Sequence, residues 1–145
     1  MRLGVLFSGG KDSCLAMHRA AACDDVVCLV TVFPENRESF FFHTPNLHLT
    51  RLQAQAIGLP QVVVDSPGRQ EEEIADLSAA IAQASEEHGV EGIVTGAVGS
   101  VYQATRVQRT CEELGLWCFN PLWQLDQVQL LWELVREGHQ VIVSG

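Results

Sequence analysis

Lysine is almost missing from this chain. Eight arginines and the single Lys11 face eighteen acidic residues, for a net charge of −9. On such a surface a polyanion such as tRNA or DNA meets a repulsive average field, which argues against nucleic acid as a partner. An anionic small molecule meets the same field and needs a local solution. An arginine-favouring genome accounts for scarce lysine, but not for the place of the survivor inside a glycine turn. Long apolar runs are also lacking, and none approaches the about 20 residues of a membrane span. The stretch Met1 to Phe7 is too short for a secretory apolar region, so a cytoplasmic chain without membrane contact is expected. The five cysteines (Cys14, Cys23, Cys28, Cys111, Cys118) form no CxxC pair, and neither they nor the five histidines show zinc-ligand spacing. They read as reduced thiols acting as small hydrophobes. Repeats, low-complexity tracts and linkers are absent. With 145 residues, 47% of them apolar, one compact domain with a real core is expected.

Short β-branched runs alternate with amphipathic segments. Arg2 to Phe7 reads as a buried strand ended by Ser-Gly-Gly, and a helix follows from about Asp12 to Ala22. Val26 to Phe33 is a second strand, stopped by Pro34. Thr44-Pro45 signals a helix start, with Leu49, Leu52 and Ala56 inward and a stop at Gly58. Gln61 to Asp65 is a third strand, and Ile74, Leu77, Ile81 and Ala84 mark the core face of a long helix. The acidic triplet Glu71 to Glu73 falls in its first turn, where carboxylates favour the positive end of the macrodipole. Gly92 to Ala97 is a fourth strand, followed by a second glycine-bearing turn, Gly96 to Ser100. A helix from about Gln103 to Leu114 points Val107, Cys111 and Leu114 inward. Leu116 to Asn120 and Gln140 to Ser144 read as fifth and sixth strands, around a helix capped by Asp126 with Val128, Leu131 and Val135 on one face. Trp117, Trp123 and Trp132 are assigned to the core. Strands apolar on both faces, alternating with helices, predict an α/β fold with a mostly parallel five- to six-stranded sheet and helices on both faces. Such sheets bind ligands at the carboxyl ends of their strands, where strand order reverses. If the first and fourth strands are neighbours, the two glycine turns flank one crevice.

The turn Ser8-Gly9-Gly10-Lys11-Asp12-Ser13 stands where a strand becomes a helix. Adjacent glycines open backbone angles closed to other residues and let amide N–H groups approach an anion. The next helix offers unpaired N–H groups and its positive dipole end at the same spot. Ser8 and Ser13 add hydroxyls, Lys11 a mobile charge, and Asp12 a ligand for Mg²⁺. Together these parts describe a polyphosphate cradle; the bland alternative is a tight turn using small residues for packing. A Walker A loop needs Ser or Thr directly after its lysine and a glycine where Val5 stands, and the dinucleotide fingerprint follows no strand. S-G-G-x-D-S is the signature of the PP-loop ATP pyrophosphatases, and its five specified positions coincide by chance on the order of once per million positions.

Three more segments carry a wider resemblance. Glu38 to Asn46 contains Ser39-Phe40-Phe41-Phe42-His43-Thr44-Pro45-Asn46, Gly96 to Val107 reads G-A-V-G-S-V-Y-Q-A-T-R-V, and Asn120-Pro121-Leu122-Trp123 closes the series. In this order they resemble the "S-x-x-F-H-T-P-N", "G-A-I-x-S-x-Y-Q-x-x-R-V" and "x-P-L-W" segments of the diphthine–ammonia ligase family. The resemblance implies a Rossmann-like PP-loop fold and a single ATP-binding domain over residues 1–145, without the family's C-terminal half and its "G-E-G-G-E-Y-E-T" stretch. It implies ATP and Mg²⁺ as cofactors and an ATP-dependent amidation. A carboxylate attacks the α-phosphorus, pyrophosphate leaves, and ammonia displaces AMP. Implied partners are ATP, ammonia and a diphthine-bearing translation elongation factor, with homo-oligomerisation left open.

Site residues follow on the matching positions. Ser8, Gly9, Gly10, Lys11, Asp12, Ser13, Gly96 and Ser100 are expected at the phosphates, and the backbone of Val32 and Phe33 at the adenine. Lys11, Asp12, His43 and Arg106 are the catalytic candidates, and His43, Tyr102, Gln103, Arg106 and Arg109 the substrate-binding ones. His43 is equally readable as a capping hydrogen-bonder, Arg106 and Arg109 as ion-paired surface residues, and Ser100 as a helix cap. Two other classes compete. A tRNA-modifying PP-loop enzyme predicts a basic surface and often paired cysteines, which this chain lacks. A non-catalytic ATP- or AMP-binding module has no need of Lys11 and Asp12.

Overall fold

The computed structural model of the chain describes residues 1–34, 47–67 and 70–142. Strands β1 (Arg2–Leu6), β2 (Asp25–Pro34), β3 (Gln61–Ser66), β4 (Gly92–Val94) and β5 (Trp117–Phe119) alternate with helices α1 (Lys11–Cys23), α2 (Thr50–Ile57), α3 (Gln70–His88), α4 (Val101–Glu113) and α5 (Gln127–Arg136). A short 3-10 turn, Leu47–Leu49, leads into α2. Every strand pairing is parallel, in the order β3-β2-β1-β4-β5. Parallel neighbours need crossovers, and the crossover helices cover both faces. On one face Leu77, Ile81 and Ala84 of α3 and Val107 and Cys111 of α4 bury Cys28, Val30, Val32, Val62 and Ile93. On the other, Leu15 and Ala16 of α1, Ala54 of α2 and Leu130 and Leu134 of α5 bury Leu3, Val5, Phe7, Leu29 and Val94.

The Rossmann-like reading therefore holds, and β1 does lie beside β4, with Leu3, Gly4 and Val5 paired to Gly92, Ile93 and Val94. Strand order reverses at β1, the switch point of such sheets. No helix among the described residues is long and apolar enough to cross a membrane.

Several expectations fail. Gln140 to Ile142 form no sixth strand, and Val143 to Gly145 lie outside the described residues. The physical reason is the end of α5. Gly138 takes φ +79°, and the His139 N–H donates back to the Leu134 carbonyl at 3.0 Å. The His139 ring then meets His18 of α1 edge-on at 4.8 Å, so the chain turns over α1 instead of extending β5. The inward faces of two helices also differ. In α2, Thr50 and Ala54 are buried while Leu49, Leu52 and Ala56 face out; in α5, Leu130 and Leu134 are buried while Val128, Leu131 and Val135 face out. Leu114, the C-cap of α4, is exposed as well. The tryptophans are not core residues: Trp117 is 65% exposed on the sheet's edge strand and Trp132 61% exposed on α5, and Trp123 is half-buried. The Thr44-Pro45 helix start lies outside the described residues.

One polar clamp joins the layers on the α1 side. The Arg19 guanidinium donates from Nε to Glu133 Oε1 at 2.9 Å, from a terminal nitrogen to Glu133 Oε2, and from the other to the Pro121 carbonyl at 2.8 Å. This bidentate fork ties α1 to α5 and to the turn after β5. Hydrogen bonds from Arg19, then its charge, hold the Glu133 carboxyl below its usual value of 4.5. A depressed folded value adds stability that is complete above the unfolded value and fades as pH falls through the folded one. Glu133→Gln is expected to cost about 0.5–1 kcal/mol at pH 7. It should also flatten the stability loss between about pH 5 and pH 3, as read by urea unfolding across that range.

Candidate functional site

The turn after β1 is built as an anion cradle needs. Gly9 takes φ +80°, a left-handed conformation that favours glycine, and a Cβ there would lie 2.3 Å from Gln53 Oε1. Gly10 is the N-cap of α1, and no side chain caps that end. The first helical amides are thus left to a ligand or to water. The two serines hold the turn's shape. Ser13 Oγ donates to the Gly10 carbonyl at 3.2 Å and accepts from the Ser8 N–H at 3.3 Å; the Gly10 N–H donates to Ser8 Oγ at 3.4 Å. Lys11 Nζ donates to Asp12 Oδ1 at 2.6 Å, with both side chains over a third exposed, so an arriving anion or cation can reach either group.

The second glycine turn closes on the first. A Cβ on Gly96 would lie 2.9 Å from the Asp12 carbonyl carbon and 2.9 Å from the Ser13 nitrogen. These are backbone atoms of the first turn of α1, which cannot give way as a side-chain tip does. Gly96 is therefore glycine by packing, and it brings the end of β4 against the cradle. Ser100 caps α4, its Oγ accepting the Gln103 N–H at 3.2 Å. Tyr102, Gln103 and Arg106 follow within two helical turns, partly buried, and the Arg106 guanidinium lies 4.4 Å from the centre of the Tyr102 ring. Arg109 is exposed, about 12 Å along the helix axis from its start. Val32 is fully buried and pairs with Val64, so its side chain is closed to a ligand; Phe33 is half-buried, with the Arg51 guanidinium 5.5 Å from its ring centre. His43 lies outside the described residues. The structure thus gathers Ser8 to Ser13 with Gly96 and sets Ser100 and the start of α4 next in line.

Several supports escaped the sequence reading. Buried Thr31 donates to the Phe7 carbonyl at 2.7 Å, and Gln61 Nε2 donates to Thr31 Oγ1 and to Thr50 Oγ1, each at 2.9 Å. Gln53 Nε2 donates to the Gly9 carbonyl at 3.2 Å. This network anchors the turn to β2, β3 and α2. Its only sequence signal was a lone threonine in an apolar strand. Across the crevice Thr95 Oγ1 accepts the Ala97 N–H at 3.1 Å and donates to Asn120 Oδ1. The Gln124 N–H, at a residue with φ +60°, donates to the Val98 carbonyl at 2.7 Å. The segment Asn120 to Gln124 thus braces the second glycine turn. An open groove of about 360 Å³ runs along α4, lined by Val101, Ala104, Thr105, Gln108, Asn120 and Trp123. None of the Ser8 to Ser13 residues lines it, so the cradle rests on backbone geometry and not on this groove.

Cys14 sits beside the cradle, but burial pushes its thiol up to about 11. It stays protonated at neutral pH and offers no thiolate nucleophile. At pH 7.5 iodoacetamide is expected to label exposed Cys23 and to leave Cys14 intact, as mass spectrometry of the folded chain will report. Gly96→Ala is expected to push the first turn of α1 away, costing about 1–3 kcal/mol of stability in urea. It should weaken ATP binding in calorimetry by about tenfold or more, since a misplaced donor loses most of its hydrogen bond.

Comparison with known proteins adds an independent line. Residues 1–118 match the family described as diphthamide synthase N-terminal domain. The diphthine–ammonia ligases of Bos taurus and Homo sapiens are each 33% identical over 162 aligned residues, covering 99% of this chain and 61% of those proteins. That of Schizosaccharomyces pombe is 33% identical, with 99% of this chain and 26% of that protein covered. The chain therefore spans less than two thirds of these relatives. Among solved structures, a predicted subunit of tRNA methyltransferase from Methanocaldococcus jannaschii superposes with a TM-score of 0.59 at 17% identity, over 93% of this chain and 76% of that one. A U34-tRNA thiolase from Methanococcus maripaludis gives 0.53 at 11%, over 97% and 58%. At those identities the two likenesses speak for the fold alone.

Proposed function

The chain belongs to the diphthamide synthase N-terminal domain family, and on that footing we propose that it is the ATP-using part of an amide-forming ligase. A carboxylate oxygen of the acceptor attacks the α-phosphorus of ATP, the bond from that phosphorus to the bridging oxygen breaks, and pyrophosphate leaves. Ammonia then attacks the acyl carbon of the adenylate, loses a proton, and AMP departs. The acceptor we propose is diphthine, which the relatives' name carries, and we take a translation elongation factor as its bearer.

The observation that carries the reading is the contact of Gly96 with the first turn of α1. It gives one crevice two glycine turns, an uncapped helix start and the chain's single lysine. Bond-making at phosphorus asks the protein mainly for positioning and for donors aimed at developing charge. In this proposal the amides of Gly9 to Ser13 and of Gly96, with the Ser8 and Ser13 hydroxyls, hold the phosphates, and Lys11 follows the leaving pyrophosphate. Mg²⁺ suits Asp12, because that ion takes one or two carboxylates and fills its shell with phosphate oxygens and water. Bound there it would offset phosphate charge. The backbone of Val32 and Phe33 reads the adenine. Ser100, Tyr102, Gln103, Arg106 and Arg109 serve the α-phosphate and acceptor side, with His43 as a further acceptor contact. A tRNA substrate finds less support, given net charge −9 and no CxxC pair.

The test is product identity. With ATP, Mg²⁺, ammonium and a diphthine-bearing elongation factor, AMP and pyrophosphate are expected in step with amidation; ADP and phosphate would overturn the adenylating mechanism. Lys11→Ala and Asp12→Ala should each lower turnover by about 100-fold or more, as loss of oxyanion-type donors does. Their thermal midpoints should stay within about 2 °C, since an exposed ion pair contributes little to stability. Normal turnover in either variant would remove this turn from the chemistry.

A further inference from the structure

One end of the Asn120 side-chain amide is engaged and the other is free. The Thr95 hydroxyl accepts the Ala97 N–H at 3.1 Å, and its own proton goes to Asn120 Oδ1. Turning the amide over would strand that proton at a residue only 4% exposed, so the hydrogen bonding sets which way the amide points. Its Nδ2 group is left without a partner among the described residues, and Asn120 lines the groove along α4.

The rest of the groove suits an anion that the protein's average charge would repel. Val101, Ala104, Thr105 and Gln108, at spacings of three, one and three residues, form one stripe of α4, and Trp123 closes the far side. At about 360 Å³ the space matches a small-ligand site. None of its lining side chains ionises, on a chain of net charge −9. Dipoles therefore choose the ligand. The Asn120 Nδ2 group can only donate, and the Thr105 hydroxyl and Gln108 amide can donate beside it. Helix α4 runs antiparallel to the strands, so Asn120, just past β5, lies at its positive start. On the same stripe Glu112 follows one turn beyond Gln108, toward the opposite end.

The groove also adjoins the crevice. Thr95 immediately precedes Gly96, which meets the first turn of α1, so Asn120 is one hydrogen bond away from the second glycine turn. We propose that the groove is the acceptor subsite. It takes a carboxylate-bearing side chain, with Asn120 Nδ2 donating to a carboxylate oxygen and the stem against Val101, Ala104 and Trp123. Naming the occupant as the acceptor rests on the amide-forming reading; the preference for a carboxylate does not.

Two probes with one stem and opposite charge test that preference by NMR of the ¹⁵N-labelled chain. Butanoate is expected to shift the Asn120 side-chain amide and the Trp123 indole N–H, half-saturating at about 1–50 mM, and butylammonium to leave both in place. Asn120→Asp keeps an oxygen for the Thr95 hydroxyl and sets a negative charge where the donor was. It should weaken butanoate at least about tenfold, with ATP affinity within about twofold. Gln108→Lys, at an exposed position, should tighten butanoate about twofold or more. In turnover with the diphthine-bearing elongation factor, Asn120→Asp should raise the acceptor KM at least about tenfold and leave the KM for ATP nearly unchanged. Butylammonium binding in place of butanoate overturns the proposal, as does butanoate affinity unmoved by Asn120→Asp or by Gln108→Lys. An unchanged acceptor KM overturns it too. If the wild-type chain forms no AMP and pyrophosphate, the amide-forming reading falls, and the butanoate titrations still decide the groove.

Discussion

The contact of Gly96 with the first turn of α1 is the constraint on which the rest of this molecule turns. It is a backbone-to-backbone approach with no room for a single carbon, and it exists only because β1 and β4 are neighbours. That adjacency places the strand-order reversal beside the Ser8 to Ser13 turn. On one flank of the crevice Thr31, Gln61, Thr50 and Gln53 hold the turn, and on the other Thr95, Asn120 and the Gln124 amide hold its counterpart. The crevice is thus a seam between two halves of the sheet, each half carrying its own polar bracing.

Electrostatics explains why the seam is made of backbone. A chain with net charge −9 repels ATP at long range. Amide dipoles and a helix start act over a few ångströms and are indifferent to the average field, since they are fixed, aimed and partly shielded from water. In the proposed site Lys11 is the one lysine beside them. Its partner Asp12, at 2.6 Å, keeps the pair locally neutral until a more highly charged ligand competes for both groups.

Much of this was legible in the residues. The glycine turn, the alternation of apolar runs with amphipathic helices, and the four motifs in order were enough for the fold and for the family. The misassigned faces share a physical cause. Helical periodicity reveals that a stripe exists, but α5 has two stripes, and the larger, tryptophan-bearing one lies outside. Trp117 was misplaced because a three-residue edge strand buries only one of its faces, and Cys118 occupies that face. The Thr31–Gln61–Thr50 network was hidden for another reason. Its members are far apart in sequence, and a polar residue in a buried strand acquires meaning only when the strand order supplies its partners.

The all-parallel sheet also separates order of synthesis from order of completion. β1 precedes the other four strands of the sheet and is the central one, yet its contact with the β4 segment joins residues as far apart as the Arg2 amide and the Glu91 carboxylate, 89 positions along the chain. Loops of that length close slowly, and folds dominated by such pairings have high contact order. The cradle sequence is therefore made well before its second wall, since Gly96 stands 83 positions after Ser13. Until those residues have been added, a growing chain holds the motif without the crevice that the motif belongs to.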